Sequence, residues 1–109
     1  MKPASVGRLR HRVELQEKVR NADGAGGAST TWQIVAPLWA AVVPHAGSER
    51  LDADALAGRV THDVWIRHRP GITPSMRFAL GVRRFEIRAV VDAGERRRYM
   101  KCLCEERRL

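Results

Sequence analysis

Three separated stretches of this chain change character at every second residue, and that period of two limits the fold more than any other feature. In residues 8–19, RLRHRVELQEKV, one side carries Leu9, His11, Val13, Leu15 and Val19, and the other carries Arg8, Arg10, Arg12, Glu14, Gln16 and Lys18. Residues 59–69 repeat the pattern, with Val60, His62, Val64, Ile66 and His68 against Arg59, Thr61, Asp63, Trp65, Arg67 and Arg69. Residues 82–92 do so again, with Phe85, Ile87, Ala89 and Val91 against Arg84, Glu86 and Arg88. A period of two is the signature of a strand with one face buried and one wet. Most connections here are too short for a crossover helix, so antiparallel pairing is expected.

The segments between complete the pattern. Residues 31–43, TWQIVAPLWAAVV, are apolar on both faces. Pro37 lacks the N–H a ladder needs, so it implies a bulge or kink. Residues 20–30 hold Asp23-Gly24 and Gly26-Gly27 and no core anchor, which predicts a long flexible loop. Arg69-Pro70-Gly71-Ile72 matches a type II turn, and Pro74 stiffens its exit. Short strands follow at 76–80 and 99–107, the second with Met100, Cys102 and Cys104 on one face. Within residues 45–58, Ser48 can cap a helix of two to three turns, Leu51, Ala55 and Leu56 form its apolar stripe, and Gly58 ends it. The expected architecture is mainly β: a small antiparallel barrel of about six strands, one short helix and a long glycine-rich loop. At 109 residues, one domain spanning 1–109 is the expectation.

The net charge is +8, and 17 of the 20 basic residues are arginine. A GC-rich genome produces such a bias without any functional cause. Arginine is also the residue of bidentate carboxylate and phosphate pairing, and the excess charge needs an acidic partner, nucleic acid or a solvated surface. Cys102 and Cys104, two apart in a strand, would have Cα atoms roughly 6.5–7 Å apart, at or past the disulfide limit, so both are expected reduced and buried. The first residues have no apolar signal region, and no apolar run approaches the ~20 residues of a membrane span.

Enzymatic chemistry finds little support. His11, His45, His62 and His68 lie on separate elements and there is no Cys-x-x-Cys, so neither a metal site nor a cofactor is expected. No serine sits in a nucleophile motif, and GAGG lacks the Lys-Ser/Thr of a phosphate loop. Binding functions remain. A basic barrel is compatible with an OB-like nucleic-acid binder, but stacking needs two aromatics on one open face, and only Trp65 and Tyr99 are expected outside. Trp65, between Asp63 and Arg67, reads either as an anchor in a protein interface or as part of a second small core.

The order LRHRVELQ, a glycine loop, W…W-A-x-V-x-P before G-x-E, THDVWIRHRPGITPSMR and FEIRAVVDAGERRR resembles the phage head–tail joining (adaptor or stopper) family over nearly the whole chain. Loop residues 22–28 are richer in alanine and glycine than the resemblance requires. The resemblance implies a structural ring subunit, six-fold or twelve-fold, at the neck of a tailed phage or a gene transfer agent. It would be made in the host cytoplasm and reside in the virion. Its implied partners are other copies of itself, an adaptor or portal ring on the head side, a tail terminator or tail tube below, and double-stranded DNA in the channel, with no membrane. On that basis Arg8, Arg10, Arg12, Trp65, Arg67, Arg69, Arg84 and Arg88 are candidate interface residues. The acidic segment 45–58 has net charge −2 and leaves +10 for the rest of the chain. A dense basic lining would trap DNA, so Glu49, Asp52 and Asp54 are candidates to face the channel. The alternative is that these acids meet a neighbour's arginines.

Overall fold

The computed structural model describes residues 9–22, 24, 26–45, 59–92 and 98–107. Six strands form: β1 (His11–Ala22), β2 (Ala28–Pro44), β3 (His62–Arg67), β4 (Met76–Leu80), β5 (Arg83–Asp92) and β6 (Tyr99–Arg107). All pair antiparallel, and the sheet closes on itself in the order β1-β2-β3-β6-β5-β4. Closure removes the open edges that a small sheet would otherwise expose to water. The helix expected within 45–58 lies outside the described residues.

Each strand contributes to one interior. Val13, Leu15, Ala40, Val64, Ile66, Phe78, Phe85, Ile87, Met100, Cys102 and Cys104 pack as a single cluster, with Phe78 and Phe85 its largest fully buried members. Both cysteines are reduced and buried. Burial penalises the thiolate and pushes Cys102 up to about 12 and Cys104 well above the ordinary thiol value. These thiols therefore act as small apolar core groups.

Two bulges set which residues face outward. Leu15 pairs with Ala36 and Gln16 with Ile34, so Val35 is the extra residue on β2, two positions before Pro37. Ile87 pairs with Cys104 and Ala89 with Leu103, which leaves Arg88 as the extra residue on β5. A bulge inverts the alternation beyond it. Val90 consequently packs on the core, and Val91, expected inside, is 41% exposed. His11, also expected inside, is exposed at the start of β1.

The β1–β2 pairing continues to Ala22↔Ala28, so the connection is residues 23–27, not the longer loop expected over 20–30. Asn21 Nδ2 donates to Thr31 Oγ1 (2.9 Å), and that hydroxyl donates to the Val19 carbonyl (3.4 Å), holding the two strands together past the barrel. Pairing of β1 with β4 spans only Glu14–Glu17, and pairing of β2 with β3 only Ala40–Pro44. From Lys18 onward the hairpin is therefore a two-stranded ribbon beyond the closed wall.

The stiff corner takes the expected form. Gly71 has φ 85°, the left-handed value a type II turn needs at its third position. The Met76 N–H then donates to the Thr73 carbonyl (3.1 Å), a second turn with Pro74 inside it. Gly81, at φ 59°, opens the two-residue hairpin between Leu80 and Arg83.

A second small core lies outside the barrel wall. Ala41 and Trp65 are buried together, with Leu9, Val43 and Tyr99 packed against them. Next to it, Asp63 is buried and accepts a hydrogen bond from His45 Nδ1 (2.8 Å), which offsets the cost of burying the carboxylate.

Candidate partner-binding surface

The arginines fall into two groups. On β5 and β6 they are paired within the chain. Arg88 donates through Nη2 and Nε to Glu105 Oε1 (2.6 and 3.0 Å) and through Nη2 to Glu86 Oε1 (3.0 Å). Arg83 donates to both oxygens of Glu106 (2.7 and 3.1 Å), a bidentate fork. Arg59 and Arg107 approach Glu105 at 3.7 and 4.0 Å. The Arg88 hydrogen bonds hold the Glu105 carboxyl below its ordinary range, and the Glu106 bond raises Arg83 further. His62 stands edge-on to Phe85 (5.2 Å) and 3.8 Å from Glu106; burial pulls its pKa down against the raising effect of that carboxylate.

On the outer face of β1 and β2 the cations lie over aromatic rings. Arg12 pairs across the ladder with Trp39 and sits 5.0 Å from its ring centre. Arg77, from β4, lies 3.9 Å over Trp32, and Lys18 approaches the same ring at 5.6 Å. Arg77 Nε also donates to Gln16 Oε1 (2.7 Å), and Gln16 Nε2 donates to Glu14 (3.2 Å). Burial, then the neighbouring Arg84, lowers the Arg77 pKa. Trp39 is 52% exposed and Ile34 56% exposed, and Val35 and Pro37 are exposed beside them. A cleft of about 220 Å³ opens among Arg12, Pro37, Leu38, Trp39, Ile66 and Arg67. Another, on the far side of Arg12 and Pro37, reaches Gly81 and Arg84.

The candidate interface residues are thus sorted by the fold. Arg10 is exposed, Arg12 and Arg67 flank the cleft, and Arg67 lies 6.0 Å over Tyr99. Arg69 is half-buried, and its backbone N–H donates to Met100 Sδ (3.4 Å). Arg84 Nη1 donates to the Gly81 and Arg83 carbonyls (2.7 and 3.0 Å), while its buried Nε has no partner among the described residues. Two candidates are taken up within the chain. Arg88 is engaged by this chain's own carboxylates, because the bulge turns it toward Glu86 and Glu105. Trp65 is only 5% exposed, taken up by the second core together with Lys101, whose ammonium lies 5.5 Å from its ring. Arg8, Glu49, Asp52 and Asp54 lie outside the described residues.

Sequence reasoning missed Trp32 and Trp39, because β2 is apolar on both faces and offers no alternation to read. The available signal was indirect. Cross-strand partners share a face, so the charged side of β1 marks the β2 residues opposite it as outward.

Among the described residues no cluster of three potential metal ligands occurs, and no helix is long and apolar enough to cross a membrane.

The described residues form a small closed six-strand β-barrel with ring-stacked and acid-paired arginines on its outside. The family model for phage head completion proteins matches residues 4–107, and the chain belongs to that family. It is similar to a protein in the virion of a native gene transfer agent particle, at 33% identity over 89% of this chain and 94% of that one, with a TM-score of 0.66. It is also similar to protein SF1141 from Shigella flexneri 2a, known from a solution structure, at 27% identity over 93% and 95% of the two chains, with a TM-score of 0.75. No curated protein matches the chain. The chain is therefore a phage head-associated structural protein of the virion.

Proposed function

We propose that this chain is a non-catalytic ring subunit of the neck, made in the host cytoplasm, joining head to tail and helping to retain packaged DNA. The observation that carries the reading is the 33% identity, over 89% of the chain, to a protein of a gene transfer agent virion. In this reading copies form a six-fold or twelve-fold ring between a portal or adaptor ring and a tail terminator or tail tube. By charge alone, Glu49, Asp52 and Asp54 approach the DNA in the channel, while arginines on the barrel wall meet protein. The test is deletion of the chain from a particle-producing strain. Heads that fill with DNA, lack tails and leave that DNA open to nuclease support the reading; tailed, nuclease-resistant particles refute it.

A second reading, a nucleic-acid-binding barrel, draws support from Trp32 and Trp39 sharing one outer face with Arg12, Lys18 and Arg77. Against it, cations already cover those rings, which leaves less aromatic surface for bases. A binder making several phosphate contacts would bind a free duplex usefully at low salt and lose orders of magnitude of affinity at moderate salt.

A further inference from the structure

We infer that the cleft between Arg12 and Arg67 is a receptor for one segment of a different, acidic protein: an apolar side chain enters beside Trp39, and carboxylates flanking it are gripped by the two arginines. Leu38 and Ile66 line the cleft with apolar atoms, Trp39 and Pro37 wall it, and the arginines stand on either side. Both guanidiniums lie within cation–π reach of a ring, Arg12 at 5.0 Å from Trp39 and Arg67 at 6.0 Å from Tyr99. A cation–π contact uses none of the guanidinium N–H donors, so they stay available to a carboxylate. Neither arginine forms an ion pair with a carboxylate among the described residues, whereas Glu86, Glu105 and Glu106 are engaged by Arg88 and Arg83. Half-exposed tryptophan beside arginine is the composition of an interface anchor, not of an idle surface.

The choice of partner follows from charge. Each copy carries +8, so two copies meeting on this basic face would repel. Duplex DNA presents phosphates but no apolar side chain for the cleft, and its bases are stacked away from Trp39. A protein segment with leucine or phenylalanine between acidic residues satisfies the floor and the rim together. The assignment names a partner for the assembly function proposed above and rests on that reading for its biological setting; the binding itself can be tested alone.

The probe is a capped pentapeptide with leucine between two glutamates, titrated into the isotope-labelled full chain and followed by amide and indole NMR shifts. Expected are shifts confined to Arg12, Leu38, Trp39, Ile66 and Arg67, weakening with salt and absent for the analogue with glutamines. Arg12→Glu with Arg67→Glu should weaken binding about tenfold or more. Trp39→Ala should weaken it as well, with dispersed spectra showing that both variants fold. Equal response to the glutamine analogue, shifts spread over Arg83 and Arg107, a duplex DNA perturbing the same residues more strongly, or concentration-dependent self-association through Trp39 would each overturn the assignment. In particles, a charge-reversed chain that loses the peptide yet enters virions normally would overturn the receptor and leave the assembly reading standing. A wild-type chain that binds the peptide but never enters a particle would refute the assembly reading instead.

Discussion

On β5, Arg83 and Arg88 are held by carboxylates of this chain, and on the outer face of β1 and β2, Arg12 and Arg77 lie over indole rings. Arg88 has spent its donors on Glu105 and Glu86, at 20% side-chain exposure, and adds to the stability of the fold. Arg12 lies 5.0 Å from the Trp39 ring centre at a site half open to water, where a cation–π contact contributes little to folding and leaves the guanidinium N–H donors unused. One residue type thus does two jobs, decided by which neighbour the folded sheet brings within reach of the guanidinium: Arg77 lies opposite Glu86 in the ladder and still sits over Trp32. Glu105 and Glu106 are placed by the β5–β6 pairing opposite Glu86 and Phe85. The residues opposite Arg12 and Lys18 are tryptophans.

The largest expected stability effect lies on the paired side. Arg88→Ala should cost about 2–3 kcal/mol, since it removes charge-assisted bonds and leaves Glu86 and Glu105 facing each other, read as a lower urea midpoint. An unchanged midpoint would erase the distinction between the two faces.

Acid titration reads the same cluster in smaller steps. His62 and Glu105 both have folded-state values below their ordinary 6.5 and 4.5. The unfolded chain therefore binds these protons more readily, and both contributions are present at neutral pH and lost as pH falls. Thermal stability should decline first below about pH 6.5 and again below about pH 4.5, where ordinary His and Glu groups take up protons. Glu105→Gln should abolish the second decline. A variant with the same second decline would show that the acid response lies elsewhere.

Removing the ring from the other side should cost less. Trp32→Ala frees Lys18 and Arg77 and loosens the root of the ribbon, about 1–2 kcal/mol. Faster amide exchange should appear in Val19–Ala22 and Ala28–Thr31, where each strand has only the other as partner. Uniform exchange across β1 would contradict a locally supported ribbon.

The smallest effect on folding is expected at Arg12→Ala, about 0.5–1 kcal/mol or less, measured by the same denaturation. Entry into particles should nevertheless fall sharply, while Arg83→Ala, which breaks a partly exposed pair, leaves entry unchanged. If Arg12→Ala destabilised the chain as much as Arg88→Ala does, the ring-stacked face would be structural and the comparison would collapse.

Period-two alternation made the β class, the pairing sense and most of the core legible in the sequence: Val13, Leu15, Val64, Ile66, Phe85, Ile87, Met100, Cys102 and Cys104 are inside as their spacing requires. The turn at Arg69–Ile72 was equally local, because proline and glycine set φ without help from distant residues. The family followed from the order of these local features along the chain.

Only the closed barrel decided the rest. The bulge at Arg88 carries no local signature, yet it reversed Val90 and Val91 and turned an expected interface arginine toward its own carboxylates. Trp65 has the sequence neighbours of a surface anchor, and it is buried because β2 and β6 bring Ala41 and Lys101 beside it. Trp39 lies in an apolar run and is exposed, because β3 pairs with β2 only from Ala40 onward. Alternation is a property of one strand and is written in its residues. Which face is covered, and which arginine meets an acid, depends on the register between strands distant in sequence, and that register exists only once the sheet has closed.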